Sequence, residues 1–267
     1  MHDFGLVSII TPSFKSAKFI GETIESIQAQ TYTNWELLIT DDCSPDNSRE
    51  IIQSYADNDP RIKLLVLDKN SGAGVARNNS IKAAKGRFIA FCDSDDRWYS
   101  DKLEKQLQFM QDNDCSLSYS SYDVCDEDGK IIGYVECLKE LTNSKILRDN
   151  GIGCLTAIYD AEKLGKHYMP SMRKRQDWCL WIEIIQSGGI AKGFQQPMAL
   201  YRDRANSISS NKKEMLKFNY EVYHTFLKKS PFVSWSMLFG KFMLYYFYKK
   251  IKQKSDYKKR LASKNKK

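Results

Sequence analysis

Three carboxylates fall within four positions at Asp93-Ser94-Asp95-Asp96, directly after the short apolar run Phe88-Ile89-Ala90-Phe91-Cys92. Like charges at that spacing repel, and a chain holds them together cheaply where a cation sits among them. Hard divalent ions such as Mg²⁺ or Mn²⁺ take oxygen ligands, commonly one or two carboxylates plus the phosphates of a substrate. The same residues would also serve as a solvated acidic turn ahead of the next helix. The ends of the neighbouring strands decide between these readings.

Those strands are readable from the apolar pattern. Leu6-Val7-Ser8-Ile9-Ile10 is a β-rich run stopped by Thr11-Pro12-Ser13, and Phe19 to Ala29 carries Ile20, Ile24 and Ile27 at helical spacing. Trp35 to Ile39 reads as a second strand, Asn47 to Tyr55 as a helix, Ile62 to Leu67 as a third strand and Gly74 to Lys85 as a helix. Phe88 to Cys92 is the fourth strand, and Asp101 to Asp112 the helix after it. Strands alternating with helices predict an α/β fold with a parallel sheet. In such sheets ligands gather at the carboxyl ends of the strands. Here those ends carry Pro12-Ser13-Phe14, Asp41-Asp42, Asp68 and the Asp93–Asp96 cluster, a set suited to a metal-bound, phosphate-bearing ligand. Gly72-Ala73-Gly74 is not a dinucleotide-binding loop, because Arg77 stands where the third glycine is needed and the segment follows the third strand.

Composition narrows the partners. The chain has 267 residues and a net charge of +8, but ten of its 41 bases and one of its 33 acids lie in 249–267. The other 31 bases face 32 acids, so the basicity belongs to a tail and a nucleic-acid-binding face is not expected. Seven cysteines without a C-x-x-C pair, and three scattered histidines, argue against zinc and for a reducing cytoplasm. Neither a signal-peptide core nor a long uncharged apolar run is present, so a cytoplasmic location is expected.

Beyond residue 113 the pattern is looser: a strand over 117–124, a hairpin through Asp126-Glu127-Asp128-Gly129-Lys130 into 131–135, a helix over 141–150, a loop entering a strand over 151–158, a helix from Arg173 through Gln186, and a strand at 198–201. From Lys213 the chain reads helical, then aromatic, then basic.

Taken together and in order, Val7-Ser8-Ile9-Ile10-Thr11-Pro12-Ser13-Phe14, Asp41-Asp42-Cys43-Ser44, Asn70 to Asn78, the Asp93–Asp96 cluster, Gln176-Asp177-Trp178, and Tyr201-Arg202 with Ser207 resemble bacterial family 2 glycosyltransferases. The likeness is to those of the capsule, O-antigen and teichuronic-type group, and it spans about residues 6–212. It implies the GT-A fold, a mostly parallel sheet flanked by helices, with a catalytic domain over 1–212 and a helical extension over 213–267. Within the domain, a nucleotide-sugar half of about 1–112 precedes an acceptor half of about 113–212.

The resemblance also implies roles. Asp42 accepts the N3–H of uracil, Phe14 stacks on the base beside Pro12 and Ser13, and Arg77 offsets phosphate charge. Asp95 contacts ribose and, with Asp96, a Mn²⁺ or Mg²⁺ ion, while Asp93 supports them. Asp177 is the general base of an inverting transfer from a UDP-sugar to a saccharide or lipid-linked acceptor. Trp178, Arg202 and Arg204 are candidate phosphate or acceptor contacts, with Asp203-Arg204 standing where the family often has a histidine. A nucleotide-sugar-binding protein without catalysis and a nucleotidyltransferase are the alternatives. The latter lacks its phosphate loop after the first strand. The aromatic and basic stretch 232–267 has the makeup of a segment lying on the anionic inner leaflet, or of a helix packed on protein.

Overall fold

Residues 7–13, 35–41 and 88–91 are buried at every position, which explains why they read as continuous apolar runs rather than alternating ones. In the computed structural model, which describes residues 2–204 and 212–264, they form β1 (Val7–Ser13), β2 (Trp35–Asp41) and β4 (Phe88–Phe91), with β3 (Ile62–Val66) at the edge. All pairings among these strands are parallel, in the order β3-β2-β1-β4. The connecting helices are α1 (Ile20–Gln28), α2 (Ser48–Asn58) and α3 (Ala73–Ala83). The chain moves outward from β1 to β3 and then returns to β4 on the other side of β1. That reversal opens a crevice beyond the carboxyl ends of β1 and β4, where Ser13 and the acidic cluster lie.

The second half is more irregular: β5 (Arg97–Trp98), α4 (Lys102–Asp112), β6 (Leu117–Cys125), β7 (Ile131–Val135), β8 (Glu140–Leu141), α5 (Asn143–Ile146), a 3-10 turn at Cys154–Thr156, β9 (Ile158–Asp160), α6 (Ala161–Leu164), α7 (Gln176–Gln186) and β10 (Ala191–Arg202). Strand β9 is antiparallel to both β4 and β6 and so joins the halves into one ten-stranded sheet. Three expectations are corrected here. The strand expected at 198–201 is the end of twelve-residue β10, whose register against β6 shifts around Pro197, a residue with no N–H for the ladder. The helix expected over 141–150 shrinks to four-residue α5 after β8. Helix α7 starts at Gln176 rather than Arg173, because Arg175 is left-handed at φ 64°.

Alternation along β1 sends Ile9 and Ile10 to opposite faces, each the start of a separate core. Ile9 packs with Ile20, Ile24 and Trp98; Ile10 packs with Phe91, Trp178 and Trp181. Beneath the first core Lys102 is buried, 4.2 Å over the Trp98 ring, and burial pushes its ammonium down to about 7.

The C-terminal extension covers the second core. It comprises α8 (Lys212–Glu221), α9 (Pro231–Met237) and α10 (Leu244–Lys264), linked by π-helical turns at Val222–Phe226 and Leu238–Met243. Val222, Tyr223, Leu238 and Phe242 are buried against α7 and its neighbours. The basic helix α10 then runs back over β7: Lys252 pairs with Glu136 at 2.8 Å, the Tyr257 hydroxyl donates to the Ile131 carbonyl, and Arg260 pairs with Asp123. Among the described residues no helix is long and apolar enough to cross a membrane.

Candidate active site

The loops after β1 and β2 are tied together. The Asp42 N–H donates to the Ser13 carbonyl at 2.8 Å, and the Lys15 N–H to Ser44 Oγ at 3.1 Å. Adjacent acids then divide the work. Asp41 is fully buried and accepts from Ser13, Ser44 and Arg49; burial pushes its carboxyl up, but those donors bring it below the usual range. Asp42 accepts the N–H groups of Ser71 and Gly72, both at 2.7 Å. Gly72 sits at φ 92°, which favours glycine and turns that N–H toward the acid. A carboxylate has about four acceptor sites, so Asp42 retains capacity for a ligand N–H. Pro12 and Ser13 close β1, and Phe14 beyond them is 44% exposed, a ring presented to solvent rather than to the core.

At the tip of β4 the acids have found cations, and these are arginines. Arg77 Nη2 meets Asp93 at 2.5 Å, and Arg204 Nη2 meets Asp95 at 2.6 Å. Burial works against the Arg77 charge, but Asp93 beside it and Asp177 farther off outweigh that and hold it above its ordinary value. Asp96 has no such partner. Its Oδ1 accepts the Arg202 N–H at 2.9 Å, while Oδ2 is buried with no hydrogen bond. Burial, then Asp95 and Asp93, push the Asp96 carboxyl well above the usual range, and burial with Asp93 raises Asp95.

An orphaned buried carboxylate oxygen beside a second carboxylate is donor chemistry that fits a hard divalent cation. Among the described residues no group of three or more His, Cys, Asp or Glu converges to enclose an ion. Water and substrate phosphate would complete the shell, as is usual for Mg²⁺.

Across from this cluster stands the first turn of α7. Asp177 Oδ2 accepts from Asn150 Nδ2 at 2.7 Å. A Cβ on Gly74 would lie 2.8 Å from the Gln176 amide, so the absence of a side chain lets the N-terminal ends of α3 and α7 abut. The cap of α3, Gly72, donates its N–H to Asp42, and Asp177 stands in the first turn of α7, so each helix presents its positive pole to one acid. Cys154, in the 3-10 turn, sits in the field of Arg77, Asp93 and Asp177, and burial pushes its thiol well above the usual range.

Two candidate contacts have their side chains turned away from solvent. Trp178 is fully buried, its indole N–H donating to the Ile146 carbonyl at 2.7 Å and its ring centroid 5.7 Å from that of Tyr223, so it is a core residue. The Arg202 guanidinium is walled in: it donates to the carbonyls of Asp95 and Glu127 and to Glu22 at 2.7 Å, 4.4 Å over the Phe19 ring. Arg204, with about a third of its side chain exposed, is the arginine left facing outward. Ser207 lies outside the described residues. Asn150, Glu22 and Cys154 carry no local sequence signal for the places they occupy.

A parallel sheet reversing at β1 and β4, with acids and arginines at the strand tips, defines the GT-A class of nucleotide-diphospho-sugar transferases. The Glycosyl transferase family 2 profile matches residues 8–174, and the chain belongs to that family. It is 42% identical over 219 residues to the putative teichuronic acid biosynthesis glycosyltransferase TuaG of Bacillus subtilis, covering 82% of this chain and 87% of that protein. It is 40% identical to WfgD of Escherichia coli, a UDP-Glc:α-D-GlcNAc-diphosphoundecaprenol β-1,3-glucosyltransferase, over 85% of this chain and 88% of that one. Among solved structures, Staphylococcus aureus TarS 1–349 with UDP-GlcNAc superposes with a TM-score of 0.67 at 19% identity, covering 87% of this chain and 70% of the other, a likeness of fold.

Proposed function

We propose that this protein is an inverting, metal-dependent glycosyltransferase that moves a sugar from a UDP-sugar to a hydroxyl of a saccharide or lipid-linked saccharide in bacterial surface polysaccharide synthesis. The observation that carries the reading is the contrast across the crevice between a buried carboxylate at Asp96 with one orphaned oxygen and a carboxylate at Asp177 held by Asn150. The names of the relatives, one acting in teichuronic acid synthesis and one on a diphosphoundecaprenol-linked sugar, support the acceptor class.

In this reading Phe14 stacks on the base and Asp42 accepts its N3–H, which uracil and thymine share. Pro12 and Ser13 shape that end of the pocket. Asp93 and Asp95 face the ribose and diphosphate, with Arg77 and Arg204 balancing charge. Asp95 and Asp96 would hold Mn²⁺ or Mg²⁺, which when bound supplies positive charge to the departing diphosphate. Asp177 takes the proton of the acceptor hydroxyl as its oxygen attacks the anomeric carbon. The bond to the diphosphate oxygen breaks, UDP departs with that electron pair, and attack from the opposite face inverts the centre.

The same reading places the enzyme on the cytoplasmic face of the membrane. Phe232, Trp235, Phe239, Leu244, Phe247 and Ile251 are exposed along α9, the π-helical turn after it and α10, beside exposed Lys250 and Lys254. Apolar side chains flanked by lysines suit an anionic bilayer surface. Sedimentation with anionic vesicles checks this: replacing Phe239, Phe247 and Ile251 together by Glu abolishes binding, and unchanged binding removes the membrane role.

The central test is UDP release from UDP-Glc and UDP-GlcNAc with and without Mn²⁺. Asp177→Asn keeps UDP binding and loses turnover by about 1000-fold or more. Wild-type turnover in that variant would require a different base.

A further inference from the structure

The stretch from Ile146, the last residue of α5, to Asn150 has almost no regular structure beyond that helix end and is fastened from outside at four points. The Trp178 indole donates to the Ile146 carbonyl at 2.7 Å, and the Tyr223 hydroxyl to the Leu147 carbonyl at 3.0 Å. The Arg148 guanidinium lies 3.7 Å over the Tyr245 ring. Lys249 Nζ pairs with the buried Asp149 carboxylate and donates to the Asn150 carbonyl at 3.1 Å. Three of these four fasteners, Tyr223, Tyr245 and Lys249, belong to the C-terminal extension.

The last residue of the stretch points its amide at the base. Asn150 Oδ1 accepts the Ile152 N–H at 3.3 Å, which fixes the amide's orientation, and Nδ2 donates to Asp177 Oδ2 at 2.7 Å. One carboxylate oxygen is thereby held and the other left to receive a proton. We infer that the C-terminal extension is part of the catalytic apparatus. Through Lys249 it clamps the Asp149-Asn150 backbone, and through the Asn150 amide it sets the aim of the Asp177 carboxylate. This rests on Asp177 acting as the general base.

Lys249 and Asn150 are positioning residues, since neither touches the reacting atoms. The physical basis is that a carboxylate turns freely about its side-chain torsions unless a donor holds it, and a misplacement of about 1 Å at a reacting group can cost about 100-fold in rate. Removing the lysine head also leaves Asp149 buried without its cation, which pushes the stretch toward solvent.

The test uses the full chain, steady-state kinetics and calorimetric titration with UDP. Asn150→Ala is expected to lower kcat about 10- to 100-fold, with the Kd and stoichiometry for UDP unchanged. Lys249→Met lowers kcat about 10-fold, and Lys249→Arg, which keeps the charge, restores most of it. The Lys249→Met, Asn150→Ala double variant is no slower than Asn150→Ala alone, because both act through one contact. Wild-type kcat in Asn150→Ala beside an inactive Asp177→Asn overturns the inference while leaving the base in place. Multiplicative losses in the double variant, or kcat losses matched by lost UDP stoichiometry, overturn it as well. Turnover retained in Asp177→Asn overturns the base assignment itself, a separate result.

Discussion

The two walls of the crevice are built by different means. On the β1–β4 wall, the acids and Phe14 stand at or just beyond strand ends, where the parallel topology carries them, and Arg77 reaches Asp93 from within α3. On the opposite wall, residues arrive by packing between distant segments: Asn150 against Asp177, and Lys249 against Asn150, the last pair 99 positions apart. Strand-tip residues are therefore expected to be separable from the fold, whereas those of the opposite wall serve structure and site together.

The sharpest test of that difference, and the largest expected effect, is Asp96→Asn. Asp96 is 1% exposed, its Oδ2 has no partner, and burial together with two neighbouring carboxylates disfavours its charge. Loss of a group that places charge at the departing diphosphate is expected to lower turnover on the order of 1000-fold. Replacing a buried carboxyl whose charged form is disfavoured should leave the melting temperature of the ligand-free protein unchanged or higher. Activity assays beside thermal melts decide it, and a marked loss of stability would show that the strand-tip acids are not separable.

Arg202→Met probes the packing behind the strand tips. The guanidinium is 1% exposed and holds Glu22 and two backbone carbonyls from separate segments, while the backbone N–H of Arg202, which the variant keeps, anchors Asp96. Losing these charge-assisted bonds should cost about 2–3 kcal/mol, a fall of roughly 4–6 °C in melting temperature for a chain of this size. A variant that melts with the wild type but fails to bind UDP would instead assign Arg202 to the ligand, against its observed partners.

The same division explains what was legible in the sequence. Strands β1, β2 and β4 could be read because strands buried on both faces leave unbroken apolar runs, edge strand β3 by its short β-rich run, and the residues after them because a parallel sheet collects strand ends on one side. Strand β10 hid its first half, since Gln195-Gln196-Pro197 interrupts the alternation where the ladder shifts register. Trp178 and Arg202 followed recognisable motif residues, but their side chains turn into the core and between segments, a direction no spacing encodes. Asn150 was invisible for a plainer reason. An asparagine in an irregular stretch is ordinary until tertiary packing sets a carboxylate 2.7 Å from its amide.

Phe14→Ala is the mildest test and the most specific for the strand-tip wall. A ring that is 44% exposed at the end of β1 has little burial to lose, so the melting temperature should hold. Stacking of a base on an aromatic ring contributes about 1–2 kcal/mol, so the Kd for UDP should weaken roughly 5- to 30-fold. Calorimetric titration reads this directly, and comparison with uridine locates the loss. If the base stacks on Phe14, UDP and uridine weaken by the same factor, because the lost contact lies on the part they share. If only UDP weakens, the ring acts on the diphosphate end, and the pocket runs along the strand tips in the reverse sense.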